Sequence, residues 1–307
     1  MSVDLLPHSF FVLPDGARLR YAVLDAEGVA QKILLVLPGR REFIEKKARE
    51  LEPLRLLGYR LVILELRGQG LSSRFLSGAA RQRDHIDDFA LYLEDLRCFF
   101  DATLRPSLSL PLLVHGHSLG GHVALRWLIE DAPPISGAFL TAPMLALSTT
   151  FTHLAAYGLA WASVHLFHKG REYAPFQHDF DSRNTVFSDN QFTHEEARFR
   201  VMEQYFTAHS DLIVGGVDWS WLLAALHSMQ ITHHSSYLAR LACPVLVLTG
   251  GQDPVTPAKE IEPILDALPG LSCHRIEAAR HDILNEADPM REEAWHHFRA
   301  WEQSGNI

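Results

Sequence analysis

Residues 110–130 read LPLLVHGHSLGGHVALRWLIE. The apolar run Leu110 to Val114 shows no alternation, as a strand buried on both faces of a sheet should, and Val123 to Ile129 falls in a helix. Between them stands Gly116-His117-Ser118-Leu119-Gly120-Gly121. A bare Gly-x-Ser-x-Gly arises by chance in many proteins. Here the strand before it and the helix after it give it meaning, because small residues on either side of a serine let the backbone turn tightly. Such a bend presents Ser118 at the carboxyl end of the sheet, where open α/β sheets build their sites. The helix N-terminus beneath it favours developing negative charge. The bland alternative is a glycine-rich turn with Ser118 as a mere cap.

Outward from this stretch the chain repeats strand, loop and helix. Ile33 to Leu37 is an apolar strand ending at Pro38-Gly39, followed by a helix through about Leu57 that Gly58 stops. Leu61 to Leu66 is the next strand, then the loop Arg67-Gly68-Gln69-Gly70. The stripe Ile86, Phe89, Leu93, Leu96 and Phe100 predicts a helix from about Asp84 to Leu104. Gly137 to Leu140 and Val245 to Thr249 are further strands, and a helix over Pro257 to Leu268 follows. A strand near Cys273 to Ile276 and a helix from Pro289 to Trp301 complete the series. Upstream, two apolar runs flank Pro14-Asp15-Gly16 and predict a hairpin over Phe10 to Val23. The expected architecture is α/β: a mostly parallel, doubly wound sheet with an N-terminal antiparallel hairpin and helices on both faces. The rhythm breaks between Pro143 and Tyr237, which predicts a helical cap (143–237) inserted into a core domain (1–142 and 238–307).

The bulk numbers suit this organisation. A chain of 307 residues holds one large domain and an insertion, and 47% hydrophobic with 21% charged residues is ordinary for a globular protein. A formal net charge of -9 argues against nucleic acid as a partner and repels an anionic bilayer at long range. Cys98, Cys243 and Cys273 form no CxxC pair, which fits free thiols in a reducing, cytoplasmic compartment. MSVDLLPHSFF lacks the basic region of a signal peptide. Thr141 to Leu166 carries no Asp, Glu, Lys or Arg. Pro143, the Ser148-Thr149-Thr150 cluster, His153 and His165 nevertheless argue against a transmembrane segment there and for a buried or lipid-facing helical one.

A serine hydroxyl is a poor nucleophile until a base takes its proton, and that base needs an orienting acid. Asp253 follows a strand, in GGQDPVTP, and His281 follows the next strand, in ARHDILNE. The order Ser, acid, His and both post-strand positions predict a triad of Ser118, Asp253 and His281. Asp282 competes as the acid, but a direct neighbour does not easily reach the His281 imidazole. The oxyanion needs two preorganised N–H donors. Leu119, directly after the serine, and Arg40, just past Gly39, are the candidates. Among eighteen histidines, His115, His117 and His122 invite a metal, but no carboxylate-rich cluster accompanies them in sequence. No GxxxxGK[ST] loop or Rossmann fingerprint is present, so neither metal nor cofactor is expected. His117 and the cap tryptophans Trp161, Trp219 and Trp221 are candidate substrate contacts, with Phe167 and Phe176 as further candidates for an apolar tunnel. The alternative for each aromatic is simple packing of the cap on the core.

These residues together resemble the bacterial lysophospholipase L2 and monoacylglycerol lipase-like branch of the α/β-hydrolases. PGRREFIEK (Pro38 to Lys46) is similar to that branch's oxyanion loop, LRGQGLSSR (Leu66 to Arg74) to its second loop, and HIDDFALYLEDL (His85 to Leu96) to its signature helix. GHSLGG, ARHDILNE and VGGVDWSWLLAAL (Val214 to Leu226) extend the likeness through nearly the whole chain. Two departures stand out: Glu65-Leu66 where the branch has Asp-Trp, and Lys47 for a common Tyr. The resemblance implies hydrolysis of a fatty acyl ester of a single-chain lipid, without a cofactor. Because such substrates reside in the membrane, the expected location is cytoplasmic, with peripheral contact at the inner face of the cytoplasmic membrane. Short or xenobiotic esters, or a C–C bond, are an alternative substrate class, and a catalytically dead ligand-binding relative is a third reading. Epoxide hydrolase and dehalogenase chemistry would need Asp where Ser118 stands.

Overall fold

The computed structural model describes residues 3–148, 152–182, 186–266, 268 and 270–306. Its frame is an eight-stranded sheet: β1 (Ser9–Val12), β2 (Arg18–Leu24), β3 (Lys32–Leu37), β4 (Tyr59–Leu64), β5 (Leu112–His117), β6 (Gly137–Thr141), β7 (Val245–Gly250) and β8 (Leu271–Ile276). The spatial order is β1-β2-β4-β3-β5-β6-β7-β8, antiparallel across β1, β2 and β4 and parallel from β4 to β8. The predicted hairpin and doubly wound sheet are therefore present.

Period-two alternation divides each strand between two cores. In β3, Ile33, Leu35 and Leu37 join one apolar cluster while Leu34 and Val36 join the other. The first cluster lies under α3 (Ala90–Phe99), α4 (Leu119–Glu130) and α9 (Ala258–Leu265). The second is covered by α1 (Ile44–Glu50), α2 (Glu52–Leu56) and α10 (Asp288–Trp301), the last contributing Trp295, Phe298 and Trp301. Strand order reverses between β3 and β5, where Leu37 pairs in register with Gly116. That places the loop after β3 beside the bend after β5, at the crevice where such sheets open.

Several predicted boundaries need correction. The helix expected to run to Leu57 breaks at Leu51 into α1 and α2, because Pro53 at the start of α2 has no N–H to continue the first ladder. The strand read as Leu61 to Leu66 is β4 and ends at Leu64, leaving Glu65 buried and paired with Arg20 at 2.9 Å. The helix predicted from Asp84 starts only at Ala90. Asp84 instead pairs its main chain with Gly216 and Asp218, and the Asp88 side chain accepts from Ala90 N at 2.9 Å. Past Phe99 the helix widens into a π-turn over Phe100–Leu104.

Between β6 and β7 the chain forms α5 (His153–His165), α6 (Glu196–Ala208), α7 (Trp219–Thr232) and α8 (Ser235–Leu238), with no strand of the main sheet among the described residues. Thr149 and Thr150 lie outside the described residues. Among those described, no helix is long and apolar enough to cross a membrane. Asp218 caps α7 through its carboxylate, which accepts from Trp221 N at 2.8 Å, and His85 Nδ1 lies 2.5 Å from the other oxygen. The segment between β6 and β7 is thus tied to the loop before α3 by a buried polar contact.

Candidate active site

The bend at Ser118 is built by its neighbours. Ser118 takes φ +51° and ψ −114°, a region L-residues rarely occupy. A Cβ on Gly116 would lie 2.6 Å from the Gly120 carbonyl, and one on Gly120 would collide with the carbonyl of Leu37. Both positions therefore require glycine, and the close approach of α4 to β3 and β5 holds the serine at the rim. Ser118 N donates to Thr141 O at 3.0 Å, fixing the bend to β6.

His281 Nε2 lies 2.9 Å from Ser118 Oγ, and His281 Nδ1 lies 2.8 Å from Asp253 Oδ2. Residues spread over the chain from 118 to 281 thus form one hydrogen-bonded series. Asp253 accepts further bonds from Val255 N (2.7 Å), Thr256 N (3.0 Å) and Thr256 Oγ1 (2.7 Å). Burial alone would push its carboxyl up. The His281 bond and the Thr256 donors outweigh it and hold the group below its ordinary range, so it is ionised. Thr256 was not singled out in the sequence; its spacing three residues after an Asp in a turn was the available signal. Asp282, the competing acid, points elsewhere: its Oδ2 accepts from Lys46 Nζ at 2.5 Å.

Of the two oxyanion candidates, Leu119 opens α4, so its N–H has no intrahelical acceptor. The Arg40 N–H has no acceptor among the described residues. The loop around it is tied on every side. Gly39 N donates to Glu42 Oε2 at 2.6 Å, Arg41 N to Gln69 Oε1 at 2.8 Å, and Arg40 Nη1 to Gly215 O at 2.7 Å.

A cavity of about 580 Å³ opens onto Ser118, His117 and His281. Its apolar wall includes Phe176, Phe180, Phe192, Phe199, Met202 and Val255. His117 lines it as expected, with Nδ1 3.2 Å from Thr141 O and its ring 5.0 Å from that of His281. Burial keeps His117 far below the usual histidine range, and hence neutral. The three tryptophans stand elsewhere, which corrects the expectation for them. Trp161 is 44% exposed beside His165 on α5. Trp219 packs half-buried on the core, and Trp221 is buried edge-on against Phe89. Phenylalanines of the segment between α5 and α6, and of α6 itself, take the lining role instead, Phe176 as anticipated. Composition named the right class of side chain but not its facing.

His115 and His122 are buried and held at about 3, each by burial above all, so both are neutral structural groups. Glu42, His117 and Asp282 are the one trio with metal-ligand spacing among the described residues. Lys46 Nζ sits 2.5 Å from both of its carboxylates and 2.7 Å from Glu50, so a side-chain ammonium provides the cation there. Sequence reasoning missed this cluster because its members come from three distant stretches of chain, with Lys46 and Asp282 236 positions apart.

Residues 28–288 match the model of the family described as serine aminopeptidase, S33. Lysophospholipase L2 of Escherichia coli strain K12 is 26% identical over 287 residues, covering 86% of this chain and 78% of that protein. Among solved structures, a soluble variant of monoglyceride lipase from Saccharomyces cerevisiae in complex with a substrate analog superposes with a TM-score of 0.75 at 19% identity, covering 100% of this chain and 97% of that one. A thermostable carboxyl esterase from Bacillus coagulans in complex with glycerol gives 0.75 at 13% identity, with 98% and 99% covered. The chain is a serine hydrolase that belongs to the S33 serine aminopeptidase family of α/β-hydrolases.

Proposed function

We propose that this hydrolase cleaves the carboxylic ester of a single-chain lipid, a lysophospholipid or a monoacylglycerol. Ser118 Oγ attacks the ester carbonyl while His281 Nε2 takes its proton, and Asp253 orients and stabilises the resulting imidazolium. The N–H groups of Leu119 and Arg40 receive the oxyanion, with the N-terminus of α4 behind them. Collapse expels the alcohol, which takes the proton back from His281. Water, deprotonated by the same imidazole, then releases the fatty acid from the acyl-enzyme.

The observation that carries this reading is the 2.9 Å contact of His281 with Ser118 at the floor of a phenylalanine-walled cavity. The family, and relatives named for lysophospholipid and monoglyceride hydrolysis, support the same substrate class. We assign residues 143–237 as the cap that supplies this wall, and place the enzyme at the inner face of the cytoplasmic membrane, where such lipids reside.

The test joins labelling to turnover. The protein is expected to react with a fluorophosphonate probe and Ser118→Ala is not; equal labelling would remove the nucleophile assignment. In a p-nitrophenyl ester series, rates are expected to hold or rise from short to long chains. Activity confined to acetate and butyrate would overturn the lipid reading.

A further inference from the structure

Four cationic side chains line the cavity above Ser118: Arg40, Arg41, Lys46 and Arg198. Three have anionic partners within the protein. Arg40 lies 3.7 Å from Asp84, Lys46 contacts three carboxylates, and Arg198 pairs with Asp288. Arg41 differs. Among the described residues no carboxylate lies within ion-pair distance of its guanidinium, and its buried Nε has no hydrogen-bond partner. The guanidinium instead stacks over the Phe180 ring, 5.2 Å from its centre, and Phe180 is itself anchored by its N–H on Gln82.

The backbone adds a second observation. Arg41 has φ +67°, in the left-handed region where glycine is at ease and a long side chain is strained. Gln69 holds it there through Arg41 N. A strained cation with no carboxylate in contact, feeling only the more distant Asp84, one residue from an oxyanion donor points to a ligand. Burial, with the charge of Arg40 beside it, lowers the guanidinium to about 10, which leaves it charged at neutral pH.

Resting on the lipid-ester reading above, we propose that Arg41 is the headgroup subsite of this enzyme: its guanidinium binds the phosphodiester of a lysophospholipid whose acyl ester lies at Ser118. The phosphate of such a lipid is joined to the ester through the glycerol backbone alone, so a group beside the oxyanion loop is suitably near. A planar guanidinium offers phosphate the paired donors that an ammonium lacks. Glu42 and Asp282 on the same lining are engaged by Lys46, and Glu42 by Lys47 as well, so neither carboxylate is an ion-pair partner of Arg41. The carboxylates of Asp179, Asp181 and Asp189, also on the lining, favour a headgroup amine and repel a second negative charge. The site therefore takes a phosphodiester that carries an amine over a phosphomonoester.

The experiment compares lysophosphatidylcholine with monoacylglycerol of the same acyl chain, in the same neutral detergent micelles. For Arg41→Gln and Arg41→Gly, the ratio of kcat/KM on the phospholipid to that on the glyceride is expected to fall about 10- to 100-fold, mainly through KM. Arg41→Lys should recover part of it. Glycine suits φ +67°, so Arg41→Gly keeps the loop if the glutamine variant misfolds. An unchanged ratio overturns the proposal. A second arm follows p-nitrophenyl butyrate hydrolysis with glycerophosphocholine or inorganic phosphate as inhibitor. Competitive inhibition by glycerophosphocholine that Arg41→Gln abolishes supports a headgroup site. Equal inhibition of both proteins refutes it, and an Arg41-dependent effect of inorganic phosphate of the same strength assigns the site to free phosphate instead. Should the wild type cleave neither lipid yet cleave the butyrate, the lipid-ester reading fails, and the inhibition arm still judges Arg41.

Discussion

The chemistry of this chain is concentrated at residues whose local preferences are overridden. Ser118 is the clearest, with φ +51° and ψ −114°. Such a conformation costs an L-residue on the order of 1–3 kcal/mol. Glycine avoids that strain but loses roughly 0.5–1 kcal/mol of extra chain entropy on folding. Ser118→Gly is therefore expected to be more stable than Ser118→Ala by about 1 kcal/mol, the two terms taken together, with both inactive. Urea denaturation of the two variants measures it. Alanine equal to or more stable than glycine would mean that the bend holds no strain. The strain was not visible in the sequence, but the position was, because glycines at 116 and 120 have meaning only where the backbone passes this close. Asp253 and His281 were legible from chain order and from their places after β7 and β8. Facing was not legible: Trp161, Trp219 and Trp221 were chosen by type, and which way an aromatic points depends on partners far away in sequence.

At the scale of elements, α1 carries more than its apolar face. Lys46 reaches from it to Glu42 at the oxyanion loop, to Glu50 one turn on, and to Asp282 beside His281. Burial by itself would favour the uncharged lysine, but the three carboxylates raise Lys46 well above its ordinary value. Glu42 is correspondingly held low by Lys46 and Lys47 against the effect of burial. Lys46→Met leaves three buried carboxylates facing Lys47 alone. The expected loss at pH 8 is about 3–5 kcal/mol, typical of breaking a buried ion pair from one side. The carboxylates left unpaired in the variant have raised folded-state pKa values, so it binds more protons when folded as the pH falls. Its deficit relative to wild type should therefore shrink between pH 8 and pH 5. Denaturation curves of both proteins at the two pH values decide this. A deficit below about 1 kcal/mol, or one independent of pH, would show the cluster to be energetically idle. The strand, loop and helix rhythm predicted a helix after β3, stopped by Gly58, but it cannot show that the polar side of that helix is buried too.

The whole molecule explains why α5 has an inverted pattern. Helix α5 packs against α7 through small residues, burying Ala156, Ala160 and Ser163, while Leu154, Leu159 and Trp161 face outward. Leu166 and Phe167 continue the exposed apolar surface, at 61% and 64% exposure. A patch of this kind on a globular protein marks a contact surface. The proposed substrates sit in bilayers, so we expect this face to meet lipid. The net charge of -9 gives anionic headgroups no general attraction for the protein, and docking must then rely on apolar insertion. The double variant Leu154→Asp/Phe167→Asp is expected to lose at least about tenfold in co-flotation with vesicles of phosphatidylcholine and phosphatidylethanolamine, given roughly 1.5–3 kcal/mol per large apolar side chain withdrawn from water. Turnover of lysophospholipid held in those vesicles should fall with it, while hydrolysis of dissolved p-nitrophenyl butyrate reports whether Ser118 still works. Because insertion is apolar, molar salt should leave wild-type flotation in place, whereas an electrostatic attachment would be stripped. Flotation equal in both proteins, or lost on adding salt, would move the contact away from α5.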